Sequence, residues 1–453
     1  MEKYFKLNEM GTNVRTEVTA GITTFLSMAY ILAVNPNVLS AAGMNPAGVF
    51  TATAVSAAFA TLLMAFLANY PVALASGMGL NAYFAFTVCS EMAKDGIQDP
   101  YTIALTAVLV EGVIFILLTF CKFREALVND VPQNLKLGIT AGIGLFIAIV
   151  GLKGAGIVVS NEATTVGMGM LSSPQVALAF VGLLAIVILY HYNVTGYILW
   201  GILLTWGLGM IAQAAGWYQV DPKAEAFSLF PDFSNGFSVA KPAIFAFNFK
   251  YVASHFIHFV IIVFSFLFVD LFDTAGTLIG IAHKGNLVDE EGNLPRAGKA
   301  LLSDAVGTVF GACMGTSTVT SYVESSAGVA VGGRTGLTSV ITGLLFLVAL
   351  PLSPIFLAIP GFATAPALIF VGLLMLSAVT KMDFEEDAAG MIGGYLAIIM
   401  MPFTYSIANG IMFGMLSYVI VKIFQGQAKK IHWVIWISAL LFVLRILQLV
   451  KGF

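Results

Sequence analysis

The sequence predicts an all-α polytopic membrane protein of fourteen transmembrane segments, arranged as two inverted halves of seven. Three observations carry the prediction. The chain is 59% hydrophobic and 10% charged, whereas soluble domains carry about 25% charged residues, so lipid must solvate most of it. Its apolar segments run towards the ~20 residues a spanning helix needs, not the ~10 alternating residues of a barrel strand. Lys and Arg fall unevenly on the two sides of those segments.

The segments lie near 16–35, 48–68, 72–90, 101–121, 134–152, 174–191, 196–213, 252–280, 299–314, 317–332, 335–351, 362–380, 387–402 and 406–424. Placing the N-terminus in the cytoplasm puts fourteen basic residues inside: Lys3, Lys6, Arg15, Lys122, Arg124, Lys136, Lys284, Arg296, Lys299, Arg334, Lys381, Lys422, Lys429 and Lys430. Five fall outside: Lys94, Lys153, Lys223, Lys241 and Lys250. The positive-inside rule therefore sets the orientation and favours an even number of spans. The polar start MEKYFKLNEMGTNVRTEV has no cleavable signal pattern. A multi-pass protein of the plasma membrane follows (the inner membrane in a bacterium). Residues 431–453 form an extra apolar helix behind Lys429 and Lys430, with Arg445 leaving its depth open. Cys89, Cys121 and Cys313 have no CxxC spacing, so neither a disulfide framework nor a zinc site is suggested.

A connection of about 214–251, with Pro222, Pro231 and Pro242, separates seven spans from seven. An odd number per half inverts the halves, which is a secondary-transporter architecture. Span 3, ALASGMGLNAYFAF, is interrupted by Gly77 and Gly79 just before Asn81. Span 10, GTSTVTSYVESSAGVAVGG, has a β-prone Ser/Thr run before Glu324. Each is the third span of its half. Broken spans at matching positions point to a midplane binding site.

Four polar residues carry the candidate chemistry. Asp270 and Asp273 stand three apart in span 8, so a helix puts them on one face, with Thr274 and Thr277 beside them. Thirteen residues separate Asp270 from His283, the start of the next polar stretch, or roughly 20 Å of helix. A charge that deep costs about 3 kcal/mol or more and marks a substrate or proton pathway; the alternative is a hydrated helix end. Glu324 is a ligand or proton acceptor, or pairs with a helix N-terminus. Ser317, Thr318, Thr320 and Ser321 supply hydroxyls to a ligand or to freed backbone groups. The Asn81 amide offers donor and acceptor together, which suits a neutral heterocycle, or caps the half-helix that follows. Tyr83, Phe84 and Phe86 pack or stack. His255 and His258 sit at the outer mouth of span 8.

Other motifs fail on context. DTAG at 273–276 resembles a GTPase switch, yet the chain has no GxxxxGK[ST]. GMGLNA at 77–82 resembles a dinucleotide fingerprint without a βαβ unit. An intramembrane aspartyl protease would place its two aspartates on different helices. The five histidines show no common ligand spacing apart from His255 and His258, three apart at the outer mouth, and no enzyme is expected.

GMGLNAYFAF, FVDLFDTAGTLIG and GTSTVTSYVESSAGVAVGGRTGLTSV closely resemble the adenine/guanine/hypoxanthine permeases, the azaguanine-resistance branch of the nucleobase–cation symporter-2 (nucleobase–ascorbate transporter) superfamily, over roughly 14–425. The resemblance implies a core domain of spans 1–4 and 8–11 (16–121 and 252–351). It implies a gate domain of spans 5–7 and 12–14 (134–213 and 362–424), and short antiparallel strands breaking spans 3 and 10. It assigns Asn81, Asp270 and Glu324 to purine contact and Asp273 to proton coupling, with Phe84, Thr277 and Ser321 as secondary candidates. In related branches span 8 carries a glutamate alignable with either aspartate. The implied partners are a purine nucleobase, a proton (sodium being the other coupling ion) and the lipid bilayer, with no cofactor and no nucleic acid; a homodimer is left open. The implied movement is of the core against the gate. Two other classes stay open: an anion transporter or channel of the same broad fold, and an intramembrane aspartyl protease.

Overall fold

The computed structural model describes residues 2–120, 131–161, 164–219, 229–233, 239–285, 287, 294–385 and 387–451. Cys121, Lys122 and Arg124 after span 4, Pro222 and Lys223 in the central connection, most of the polar stretch after Lys284, and the last two residues of the extra helix lie outside them. Each of the fourteen predicted segments has its counterpart. Span 1 is Val14–Met28 and Ile31–Ser40, joined through a turn at Ala29 and Tyr30 into one span. Spans 2 and 4 to 7 begin at Pro46, Tyr101, Gln133, Pro174 and Tyr197. Spans 8, 9 and 11 are Phe256–Lys284, Ala297–Met314 and Gly336–Val348. Spans 12 to 14 are Gly361–Leu376, Ala388–Thr404 and Ile407–Phe424.

Among the described residues, eight helices are long and apolar enough to cross a bilayer alone. The bent pair Gly336–Val348 and Leu350–Leu357, at 44°, makes a ninth. The remaining predicted spans are broken, short or polar. Local chemistry marks several starts. Asn13, Asn45, Ser173 and Ser406 accept backbone N–H groups at the starts of spans 1, 2, 6 and 14. Pro46 and Pro174 sit in the first turn, where no N–H is needed.

Spans 3 and 10 are each divided between strand and helix. Strand β1 (Leu74–Ser76) leads into Met78–Ala82, and the helix continues through a wider π-type turn, Tyr83–Cys89, to Lys94. Two further strands, β2 (Val158–Asn161) and β3 (Thr165–Met168), form an antiparallel hairpin between spans 5 and 6. Strand β4 (Val319–Ser321) leads into Ser325–Val331. β1 and β4 pair antiparallel, Leu74 opposite Ser321 and Ser76 opposite Val319. Val319 and Thr320 are β-branched and favour extended backbone. Open strand edges are not tolerated in lipid, and threonines close these. Thr61 of span 2 both donates to the Leu74 carbonyl (3.1 Å) and accepts from its N–H (2.9 Å). Thr308 of span 9, the matching span of the other half, donates to the Val319 carbonyl at 2.8 Å.

Glycine sets the closest helix contacts. A Cβ on Gly138 of span 5 would lie 2.3 Å from Gly394 Cα of span 13. Span 5 packs on spans 12 and 13, span 1 packs on spans 10 and 11, and span 11 packs on span 2. The N-terminus of span 11 is held by Glu17 of span 1, which is fully buried. Its Oε1 accepts from Arg334 N at 2.9 Å. Its Oε2 accepts from Thr335 N and Oγ1 (3.3 and 2.8 Å) and from Thr338 N and Oγ1 (3.1 and 2.7 Å). The extra helix, Trp433–Lys451, packs on spans 8 and 14, with Phe442 edge-on to Phe264.

Candidate functional site

The β1–β4 pairing brings the two halves together, and the predicted residues gather around it. Asn81 lies inside the half-helix Met78–Ala82, not at its cap, which is Gly77. It is fully buried. Its Oδ1 accepts the Ser317 hydroxyl and its Nδ2 donates to the Ser76 carbonyl at 3.4 Å. The same carbonyl accepts the Tyr322 hydroxyl. The Asn81 amide therefore ties span 3 to the start of span 10 as the structure stands.

Glu324 occupies the cap position of Ser325–Val331 without a side-chain cap bond. It is half-buried, and its Oε1 accepts the Tyr30 hydroxyl at 2.6 Å. Tyr30 sits at the turn inside span 1, so span 1 meets the interrupted span 10 here. Asp273 is half-buried within charge–charge range of Asp270 and Glu324. Thr277, one turn on, is also half-buried.

Asp270 is placed differently. It is 0% exposed, and its Oδ1 accepts from Thr274 Oγ1 at 3.3 Å. Thr274 also lies 3.1 Å from both oxygens of Asp304, in span 9, and 2.6 Å from Thr320 Oγ1 of β4. Ser321 donates to Asp304 at 3.4 Å. Glu111, in the middle of span 4, accepts from Thr318 Oγ1 at 3.0 Å. The two aspartates of span 8 thus face different surroundings: Asp270 a buried set of acids and hydroxyls, Asp273 the half-open side with Glu324.

Phe84 is buried and lies edge-on to Phe266 of span 8, ring centres 6.5 Å apart; Tyr83 meets the same ring at 4.7 Å. Both aromatics pack span 3 against span 8. Phe86 reaches Tyr405, beyond span 13, at 6.1 Å. At the predicted outer mouth, His258 Nδ1 is 2.9 Å from the Tyr251 hydroxyl, and its Nε2 is 3.9 Å from Glu91.

The sequence reading did not single out Glu111, Asp304, Tyr30 or Glu17. Glu111 had a readable signal, being a lone acid in an otherwise apolar span. Asp304 was masked by its neighbours Lys299 and Ser303, which make the start of span 9 read as polar surface. Among the described residues, no group of three or more His, Cys, Asp or Glu is arranged to hold a metal ion.

The matrix of buried carboxyls, hydroxyls and an amide at crossed, broken spans suits a small polar, uncharged ligand. Comparison with known proteins bears on which. Residues 15–413 match the model of a family described as the Permease family. The chain is 41% identical to the adenine permease AdeP of Escherichia coli, covering 98% of this chain and 96% of that protein. It is 43% identical to the guanine/hypoxanthine permease PbuO of Bacillus subtilis, covering 98% and 99%. In fold it is similar to the transmembrane domain of a cyanobacterial bicarbonate transporter, BicA. That match has a TM-score of 0.67 at 15% identity and covers 89% of this chain and 97% of that one.

Proposed function

The chain belongs to the Permease family, and from that premise we propose that it imports purine nucleobases, adenine, guanine or hypoxanthine, by proton symport. The observation that carries this is the midpoint where β1 and β4 join the two halves, ringed by Asn81, Asp270, Asp273 and Glu324. A purine is flat, neutral and rich in edge donors and acceptors; carboxyls, an amide and strand backbone complement it. The names of the relatives, adenine permease and guanine/hypoxanthine permease, support the same substrate class.

In this reading Asn81, Asp270 and Glu324 serve the base and Asp273 serves the proton. Phe84, Thr277 and Ser321 support them from packing and hydrogen-bonding positions. The core is spans 1–4 and 8–11 and the gate is spans 5–7 and 12–14. The packing of span 5 on spans 12 and 13, of span 1 on spans 10 and 11, and of span 11 on span 2 supports that division. Transport is a movement of core against gate. The two meet where a Cβ on Gly79 would lie 2.7 Å from Ile143 Cγ2. The N-terminus is cytoplasmic, in line with the basic residues of the inside loops.

The test is competition of radiolabelled hypoxanthine uptake by adenine, guanine, uracil and xanthine at two pH values. Purines compete and uptake rises with the proton gradient if the reading holds. Competition by uracil alone, or flux of bicarbonate instead, overturns it. Uptake by Asp273→Asn that still depends fully on the gradient removes Asp273 from coupling.

A further inference from the structure

An asparagine can offer a base either a donor or an acceptor, and the neighbours of Asn81 decide which. A backbone carbonyl only accepts, so the amide atom that faces the Ser76 carbonyl, at 3.4 Å, is Nδ2. The second lone pair of that carbonyl takes the Tyr322 hydroxyl. Oδ1 therefore faces Ser317, and the contact uses the one proton of the Ser317 hydroxyl.

Ser317 is held in place from both sides. It is 0% exposed, as are Asn81, Thr316 and Thr318. Thr316 Oγ1 lies 2.7 Å from Ser76 Oγ and accepts from Asn35 Nδ2 at 3.0 Å. Thr318 donates to Glu111 at 3.0 Å, and its carbonyl accepts from Gly77 N, also at 3.0 Å. With both flanking residues tied down, the Ser317 hydroxyl stays on Asn81 Oδ1. The bond on the other side of the amide is loose. At 3.4 Å it exceeds the usual range of roughly 2.7–3.2 Å, and it engages one of the two N–H groups of Nδ2. The acceptor of Asn81 is thus occupied, while its second N–H is left for a ligand.

We propose that Ser317 is a positioning residue that sets specificity: by occupying Oδ1 it makes Asn81 a hydrogen-bond donor, which reads an unprotonated ring nitrogen or a carbonyl of the base. This role rests on the purine-transport reading. It supplies a polarity that the other two side chains assigned to the base do not. Asp270 and Glu324 are carboxyls, which only accept when ionised. They suit the N–H groups of a purine, and Asn81 suits its acceptors. Asn81 belongs to span 3 and Ser317 to span 10, so the donor is set only where the two halves of the chain meet.

The test is binding of adenine, guanine and hypoxanthine to the purified full-length protein, measured by calorimetry. Ser317→Ala should bind purine about tenfold more weakly, the scale of one hydrogen bond. In an Asn81→Ala background the same replacement should cost no further affinity, because the two residues act as one unit. Asn81→Asp tests the polarity. Its carboxylate accepts from Ser317 as the amide does but has no donor for the base, so affinity should again fall about tenfold or more. Unchanged purine affinity in Ser317→Ala, even with a lowered melting point, overturns the positioning role. An equal loss in the Asn81→Ala background overturns it as well. Asn81→Asp that binds purine as tightly as wild type overturns the donor assignment. If Ser317→Ala does not fold, Ser317→Cys, with its weak donor, decides in its place, and the same loss is expected. Absence of purine binding in the wild type refutes the transport reading and the Ser317 role with it; purine binding that the Ser317 variants leave intact refutes the Ser317 role alone.

Discussion

Replacing Glu17 by alanine tests how much of the fold hangs on one carboxylate. Five donors converge on it from the first turn of span 11, at 2.7 to 3.3 Å, and the side chain is fully buried. A hydrogen bond to a charged group contributes about 1.5–3 kcal/mol, but five on one carboxylate do not add. Removing one partner of a buried charged network costs roughly 3–5 kcal/mol, because the others are left unpaired. For a chain of this length each kcal/mol moves the midpoint by about 1 °C. Glu17→Ala should therefore melt roughly 3–5 °C lower. Glutamine makes the prediction sharper. Four of the five bonds fall on Oε2, and only Arg334 N uses Oε1. A glutamine with its oxygen at the Oε2 place keeps four and turns its NH2 towards one N–H. Its loss should be about 1–3 kcal/mol. The assay is thermal unfolding of detergent-solubilised protein by tryptophan fluorescence at one scan rate, since such unfolding is commonly irreversible. Glu17→Ala within about 1 °C of wild type refutes the reasoning. Glu17→Gln melting as low as Glu17→Ala refutes the division between the two oxygens.

Three further outcomes are expected. Tyr30→Phe removes the 2.6 Å bond to Glu324 and should reduce purine uptake by about tenfold or more; purine affinity in the purified protein, measured by calorimetry, separates lost binding from lost movement. Gly79→Ala drives a methyl to 2.7 Å from a side-chain carbon, Ile143 Cγ2, whereas Gly138→Ala drives one to 2.3 Å from backbone. Trimming Ile143 to alanine, which removes Cγ2, should restore uptake to Gly79→Ala, while the melting point of Gly138→Ala should fall by the equivalent of about 1–3 kcal/mol with no side chain to trim. Thr61→Val strips the Leu74 N–H and carbonyl together, and Thr308→Val strips one carbonyl. Thr61→Val should be the less stable of the two in the same melting assay, by about 1–3 kcal/mol.

The spans were legible because their signals are long: apolar runs and the charges of the loops between them. The breaks in spans 3 and 10 were legible because Gly77, Gly79 and the Ser/Thr run at 316–321 contradict a continuous helix. The strand pairing itself was not legible from the residues and came only with the family resemblance. Three-residue strands show no period of two, and their register depends on partners nearly 250 positions apart. The hairpin of β2 and β3 is similarly short. Asn81, Asp270, Asp273 and Glu324 stood out as polar residues in apolar surroundings, and they do gather in space. Their individual surroundings did not follow from spacing. Asp270 and Asp273 share a helix face, yet Thr274, Asp304 and Glu111 enclose one and leave the other half open. Asp304 and Glu111 come from spans 9 and 4, and only tertiary packing brings them there.

The cross-half strand pair has a consequence for biosynthesis. β1 is complete at Ser76, and its partner begins at Val319. At about 5–20 residues per second, the ribosome needs roughly 10–50 s to supply the second strand. Through that interval the backbone of Leu74–Ser76 has Thr61 beside it but no ladder. The first half must wait in the membrane as an unfinished half-site, shielded by its own helices or by the insertion machinery. Maturation of this protein is then a late joining of two inserted halves, and a chain cut in the central connection should regain its midpoint only when both pieces are made in the same membrane.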